Sequence, residues 1–313
     1  MIPALTVLAC AVAAGWLGPV LLRGLDLRRR DPALVVVAWL LSMAGVVLAA
    51  VTGVVLLLLP GHGAPVLAVL HHCWLVLQHG SPPEVEQLAG LLGVALLGAL
   101  AVRVLFVFAR GARLRARKQR ESYDVLRLAG REQHGPPDVL WLAHATPLAF
   151  SMAGRPGVVV ATDGLTTHLG ETEVAAVFAH ERAHLAGRHH LLIAVVEALR
   201  GTLPFVPLFR AAPSAIRDLV ELCADVAAVR TCGRAAVRTA LLTVARHGVP
   251  SMALPMAQNA VDLRIARLRH DTPVPGRGRR FVSCGLTALA AVSLPFLAGA
   301  GLLIAIAVVA CPG

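Results

Sequence analysis

Four runs of the 313-residue chain are almost free of charge, and each is long enough to cross a bilayer. Ile2 to Leu22, Pro32 to Leu59 and Phe281 to Gly313 contain no charged residue, and Leu88 to Ala109 contains only Arg103. Backbone in hydrocarbon must satisfy its own hydrogen bonds, so such runs are expected to be helices. They raise the hydrophobic share to 57% and the mean hydropathy to +0.72, too high for an ordinary soluble domain. A cleaved signal peptide is the rival reading of the first run. Met1-Ile2-Pro3-Ala4 lacks the positive residues that open such a peptide, so an uncleaved span is expected.

Charge orders the spans. The net charge of +11 is concentrated beside the apolar runs: Arg23 and Arg28 to Arg30, then Arg110 to Arg120, then Arg277 to Arg280. The connection from 60 to 87 has no Lys or Arg, and carries His62, His71, His72, His79, Glu84 and Glu86. The positive-inside rule places the basic segments in the cytoplasm and the 60–87 connection outside, which four spans with both termini outside satisfy. Arg103 lies near the end of its run, within snorkelling reach of the headgroups. Clustering beside spans, with 4% aromatic residues and one tyrosine, argues against direct nucleic-acid binding. Six cysteines without a C-x-x-C pair form neither a disulfide framework nor a thiolate metal site.

The expected division is therefore 1–120 with three spans (2–22, 32–59 and 88–109), a cytoplasmic domain at 121–276, and a fourth span at 281–313. Within 121–276, Pro136–Leu142, Pro147–Met152 and Gly157–Thr162 read as short strands bounded by breakers, the last closing at Asp163-Gly164. A helix is expected from Glu171, with Glu171 and Glu173 in its first turn and Gly187 as its stop. Further helices are expected at 190–200, from Ser214 as N-cap to about 230, at 234–247 and at 258–270. Pro204 to Phe209 reads as an apolar connection, either buried or brushing the bilayer. Arg264, Arg267 and Arg269 read as a solvated or headgroup-facing surface.

The chemistry lies in His180-Glu181-Arg182-Ala183-His184, an H-E-x-x-H sequence on the helix that begins at Glu171. Residues i and i+4 share a helical face, so the two imidazoles can reach one Zn2+ while Glu181 addresses its water as general base. A catalytic zinc needs a third protein ligand and one open position. Glu221 is the preferred candidate, with Asp218, three residues earlier on nearly the same face, as its rival. Asp225, one turn after Glu221, is placed to accept the N–H of a ligating imidazole. His189, His190 and Arg188, just past the motif, read either as oxyanion partners or as solvent-facing side chains.

His180-Glu181-x-x-His184 followed by Glu221-x-x-x-Asp225 resembles the gluzincin metallopeptidases. Placement between spans is similar to the BlaR/MecR family of membrane metallopeptidases, with HtpX-type proteases as relatives. The resemblance implies a mainly α membrane protein: four transmembrane helices, with an α+β gluzincin-like zinc peptidase domain inserted between the third and fourth. It implies a protein or peptide substrate, membrane lipids as surroundings, and a substrate-binding strand within the stretch from Ala149 to Leu165, at Val158, Val159, Val160 and Ala161. In BlaR/MecR proteins the eventual target is a repressor of resistance genes. The sequence shows no penicillin-binding sensor of that family after the fourth run, so a β-lactam receptor role is not expected. Regulatory proteolysis, quality control of membrane proteins and a non-catalytic receptor stand as the three functions to separate.

Overall fold

The computed structural model describes residues 2–27, 30–58, 85–135, 138–154, 157–247 and 255–269. The fourth apolar run and nearly all of the 60–87 connection lie outside the described residues. Helix α1 (Ile2–Arg23) and α2 (Pro32–Leu58) pack along one another. The Asp31 carboxylate accepts the Ala33 amide at 3.0 Å and Pro32 occupies the first helical position, a pairing that starts α2 without leaving its first donors unmet. Three helices, α1, α2 and α3 (Val85–Ala129), are long and apolar enough to cross a membrane.

Helix α3 departs from expectation. The apolar run does not end in a basic loop at 110–120. It continues as one rod of 45 residues, about 68 Å at 1.5 Å per residue. Arg, Lys, Gln, Glu, Leu and Ala are strong helix formers, and between Arg110 and Glu121 only Gly111 interrupts them.

The rod feeds a four-stranded sheet of β1 (Gly130–Gln133), β2 (Asp138–Leu142), β3 (Ala149–Met152) and β4 (Val158–Thr162), in the order β1-β2-β4-β3. β2 and β4 are parallel, and the two outer strands run antiparallel to their neighbours. Leu140, Val158 and Val160 pack against Tyr123 and Leu126 of α3. Val139 and Ala161 face the other way, towards Phe178 and Ala240. A strand covered on both faces reads as a continuous apolar run, which is why β4 was visible in sequence. β1 was missed, because Gly-Arg-Glu-Gln is polar and mostly exposed and leaves no alternation to detect.

Helices α4 (Asp163–His168), α5 (Glu171–Ala186), α6 (His189–Thr202), α7 (Pro207–His247) and α8 (Pro255–Arg269) complete the domain. Asp163-Gly164 opens α4 rather than a turn. Ser214 is not an N-cap: α7 already starts at Pro207, and the Ser214 hydroxyl bonds the Ala211 carbonyl at 3.0 Å inside the helix. The helices expected at 214–230 and 234–247 are the two halves of α7, broken at Gly233 (φ 80°, ψ 162°). That backbone conformation belongs essentially to glycine. A Cβ at Gly233 would meet no atom within 4 Å, so the cost of replacing it is one of backbone alone. Gly233→Ala is expected to lose about 1–3 kcal/mol of stability in thermal unfolding, with the far half of α7 misdirected.

Among the described residues, the largest core joins α2 to the α6–α7 hairpin. Val35, Val36, Trp39 and Met43 of α2 are buried with Val196, Leu203, Leu208, Phe209, Ile216 and Leu219 of the α6–α7 hairpin. Of the apolar connection at 204–209, Leu208 and Phe209 are therefore core, whereas Phe205 is 70% exposed.

Candidate metal centre

Two helices build the site. α5 presents His180, Glu181 and His184, and α7 packs across it with Glu221 and Asp225. The His180 and His184 Nε2 atoms are 3.2 Å apart. Each faces one oxygen of the Glu221 carboxylate, at 3.3 Å from His180 and 3.4 Å from His184. Ligands about 2.0–2.1 Å from a tetrahedral ion are separated by about 3.3–3.4 Å, so this triangle has the dimensions of a zinc site with its fourth corner free. His180, His184 and Glu221 are also the one group of metal-capable side chains found among the described residues. Asp218, the rival ligand, is exposed and stands outside the triangle.

Asp225 holds the back of His180. Its Oδ1 lies 3.0 Å from Nδ1, and its side chain is 3% exposed. An Nδ1–H donated there leaves Nε2 free to ligate. Arg264 of α8 then grips Asp225 with a fork: Nε donates to Oδ2 and Nη2 to Oδ1, both at 2.7 Å. Its Nη1 reaches Glu221 Oε2 at 3.2 Å. Arg264 is thus neither solvated nor headgroup-facing. It is a site residue that sequence missed, because the signal, an arginine 39 residues after Asp225, is meaningful only once α8 folds back.

His189 is also corrected. It is buried, with Nδ1 3.0 Å from His184 Nδ1 and the two rings edge to face. A Cβ on Gly187 would lie 2.4 Å from the His189 ring, so the close turn needs glycine there. Arg188 takes the left-handed conformation (φ 48°) that delivers His189 to this place. His190 is exposed.

Electrostatics sort the ligands. Burial pulls His180 down, but the hydrogen bonds it donates to Asp225 and Glu221 overcome it and raise its pKa to about 9. Burial lowers His184 to about 4, only partly opposed by Glu221. Burial would raise Glu221 and Asp225, yet His180 and Arg264 hold each at about 2. At pH 7 the metal-free site therefore carries one displaceable proton, on His180. Measured at about pH 6, below the ionisation of a zinc-bound water, zinc binding is expected to release about one proton, and apparent affinity to rise about tenfold per pH unit up to about pH 7. Titration calorimetry in buffers of different ionisation enthalpy measures this directly; release of two protons, or none, contradicts it.

Glu181 sits beside the triangle. Burial raises its pKa, opposed by the His180 charge and by hydrogen bonds from the Ser151 side chain and backbone. Glu181, the triangle, Asp225 and Arg264 all line one open cavity of about 440 Å³. β3 forms one rim with Ala149, Phe150 and Ser151, and the far half of α7 forms an apolar wall of Val237, Ala240, Leu241 and Val244. Among the described residues, the strand with an open edge at the site is therefore β3. Val158, Val159, Val160 and Ala161 form β4, which is hydrogen-bonded on both sides and fully buried, so it has no edge to offer a substrate.

Such a set of groups defines a metallopeptidase-type centre: a His/His/Glu triangle, a carboxylate beside its open corner, and a strand edge along the cleft. The chain belongs to peptidase family M48, whose family model matches residues 114–270, from the basic half of α3 to the end of α8. Peptidases of this family are zinc-dependent, and the donors found here fit that ion. No solved structure matches the chain.

Proposed function

We propose that the protein is a membrane-embedded zinc endopeptidase that cuts a cytoplasmic protein segment in regulatory proteolysis, with residues 121–276 as the catalytic domain between the third and fourth of four spans. The observation that carries this reading is the ligand triangle with Glu181 at its open corner, in a cleft rimmed by an unpaired strand edge. His180, His184 and Glu221 would hold zinc, which would supply a Lewis acid able to lower the pKa of a water to about 7 and to polarise the scissile carbonyl.

The chain's own groups do the rest. A substrate in extended form adds to the open edge of β3, its backbone replacing the contacts that Ser151 makes to Glu181. Glu181 takes the proton of the attacking water and delivers it to the leaving amine. Its raised pKa suits a group that must accept a proton and then give it up. Asp225 and Arg264 hold the His180 ring in the tautomer that ligates, and His189 backs His184 in the same way. The apolar wall of Val237, Leu241 and Val244 selects an apolar substrate side chain.

The layout of spans and site supports the BlaR/MecR-like reading. HtpX-like clearance of membrane proteins is the second reading, favoured by the shared core that fixes the site close to the spans. Comparing the proteomes of cells that carry the wild type and Glu181→Ala separates them. A single accumulating soluble target supports regulation, many accumulating membrane proteins support clearance, and identical proteomes sink both.

A further inference from the structure

The α6–α7 hairpin belongs to the peptidase domain, yet its tip lies among the spans. Val206 comes so close to α1 that a Cβ on Gly15 would be 2.9 Å from its methyl, and Leu208 stands in the same relation to Gly18, at 3.2 Å. Val46 of α2 and Leu100 of α3 pack on the core that holds Leu203 and Leu208. These contacts provide three rulers. Gly15 is 13 residues from Ile2, Val46 is 12 from Leu58 and Leu100 is 15 from Val85. At 1.5 Å per residue, the tip is about 20, 18 and 23 Å from the far ends of the three helices. A hydrocarbon core is about 30 Å thick, so the tip is inside it by roughly 7–12 Å.

The side chains agree with that depth. From Gly201 to Phe209 there is no charge, and exposed arginines stand at both ends, Arg200 and Arg210. Phe205 is 70% exposed, and Pro204 beside it is exposed as well. Arg103 of α3, the one charge in its run, donates to the Gly201 carbonyl at 3.4 Å, at the end of α6. An arginine collar around an apolar tip is what the headgroup boundary selects: the stems lie along hydrocarbon and the guanidinium groups reach phosphate.

We infer that residues 201–209 form a re-entrant wedge whose exposed face, Pro204 and Phe205, is covered by lipid acyl chains while Arg200 and Arg210 hold phosphate headgroups. The wedge opens directly into α7, which carries Glu221 sixteen residues after Phe205, so the bilayer sets the height of the metal triangle. The inference rests on α1 to α3 being spans.

Spin labels test it on the full chain in liposomes, in a background without native cysteines. Phe205→Cys is compared with Val102→Cys, exposed on α3 within its apolar run, and with Arg131→Cys, exposed on the sheet. Retention of zinc verifies folding, and Pro204→Cys, also exposed at the tip, serves if Phe205→Cys does not fold. The expected result is that position 205 relaxes faster with oxygen than with a water-soluble nickel chelate, as position 102 does and position 131 does not. If 102 behaves as lipid-exposed and 205 as aqueous, the wedge is overturned and the span reading survives. If 102 is aqueous too, both fall.

Discussion

Glu181→Gln is expected to keep its zinc and lose about 10²–10⁴-fold in kcat/KM, the range a positioned general base contributes. The amide preserves the size and the hydrogen-bonding reach of the carboxylate but cannot take a proton. Because the three ligand atoms belong to His180, His184 and Glu221, metal content and the unfolding midpoint should remain at wild-type values. The loss should fall on kcat rather than KM, since the proposed mechanism places Glu181 in the chemical step and substrate binding on the strand edge of β3. In the wild type, burial raises the Glu181 pKa, and the base works only when ionised. The acidic limb of kcat/KM should therefore sit above the ordinary glutamate range, with activity lost as pH falls through it. An active Glu181→Gln protein would remove the basis for assigning the reaction to this site.

Arg264→Leu is expected to cost about 3–5 kcal/mol of stability, the usual penalty for removing one partner of a buried ion pair. Asp225 is 3% exposed and receives both prongs of the guanidinium, so its charge would be left in low dielectric with His180 as its remaining partner. The pH dependence has a definite sign. Asp225 titrates at about 2 in the fold, below its unfolded value, so the stabilisation is present above about pH 4 and is lost as pH falls towards 2. Arg264→Lys should recover only part of the loss, since an ammonium cannot make the fork. Zinc affinity should fall about 10–100-fold in both variants through the loosened His180 ring. Unfolding midpoints and zinc titrations measure the two effects. A change within about 0.5 kcal/mol would return Arg264 to the surface role its sequence context suggested.

Much of the local structure was legible in the residues. Continuous apolar runs mark helices that must satisfy their own backbone, and three of them are described as such. The motif helix starts and stops where its acidic first turn and Gly187 indicate, because caps act over a single turn. The buried strand β4 announced itself by composition, and β1 did not. The continuation of α3 past Arg110 was misjudged because a change in polarity was taken for a change in backbone, although the helix propensity of the basic stretch is as high as that of the apolar one.

By itself, then, the sequence determined three helices long and apolar enough to cross a membrane, the H-E-x-x-H pair and a short list of carboxylates that could complete it. Spacing of 3.6 residues per turn is enough to set two histidines side by side. Only the tertiary structure decided that Glu221 and not Asp218 meets them, that Arg264 locks Asp225, and that β3 rather than β4 keeps an open edge. Those outcomes depend on how the α6–α7 hairpin packs against α5 and the spans, and on which strand ends the sheet. Contacts between distant segments are chosen by shared burial, which no local pattern of residues encodes.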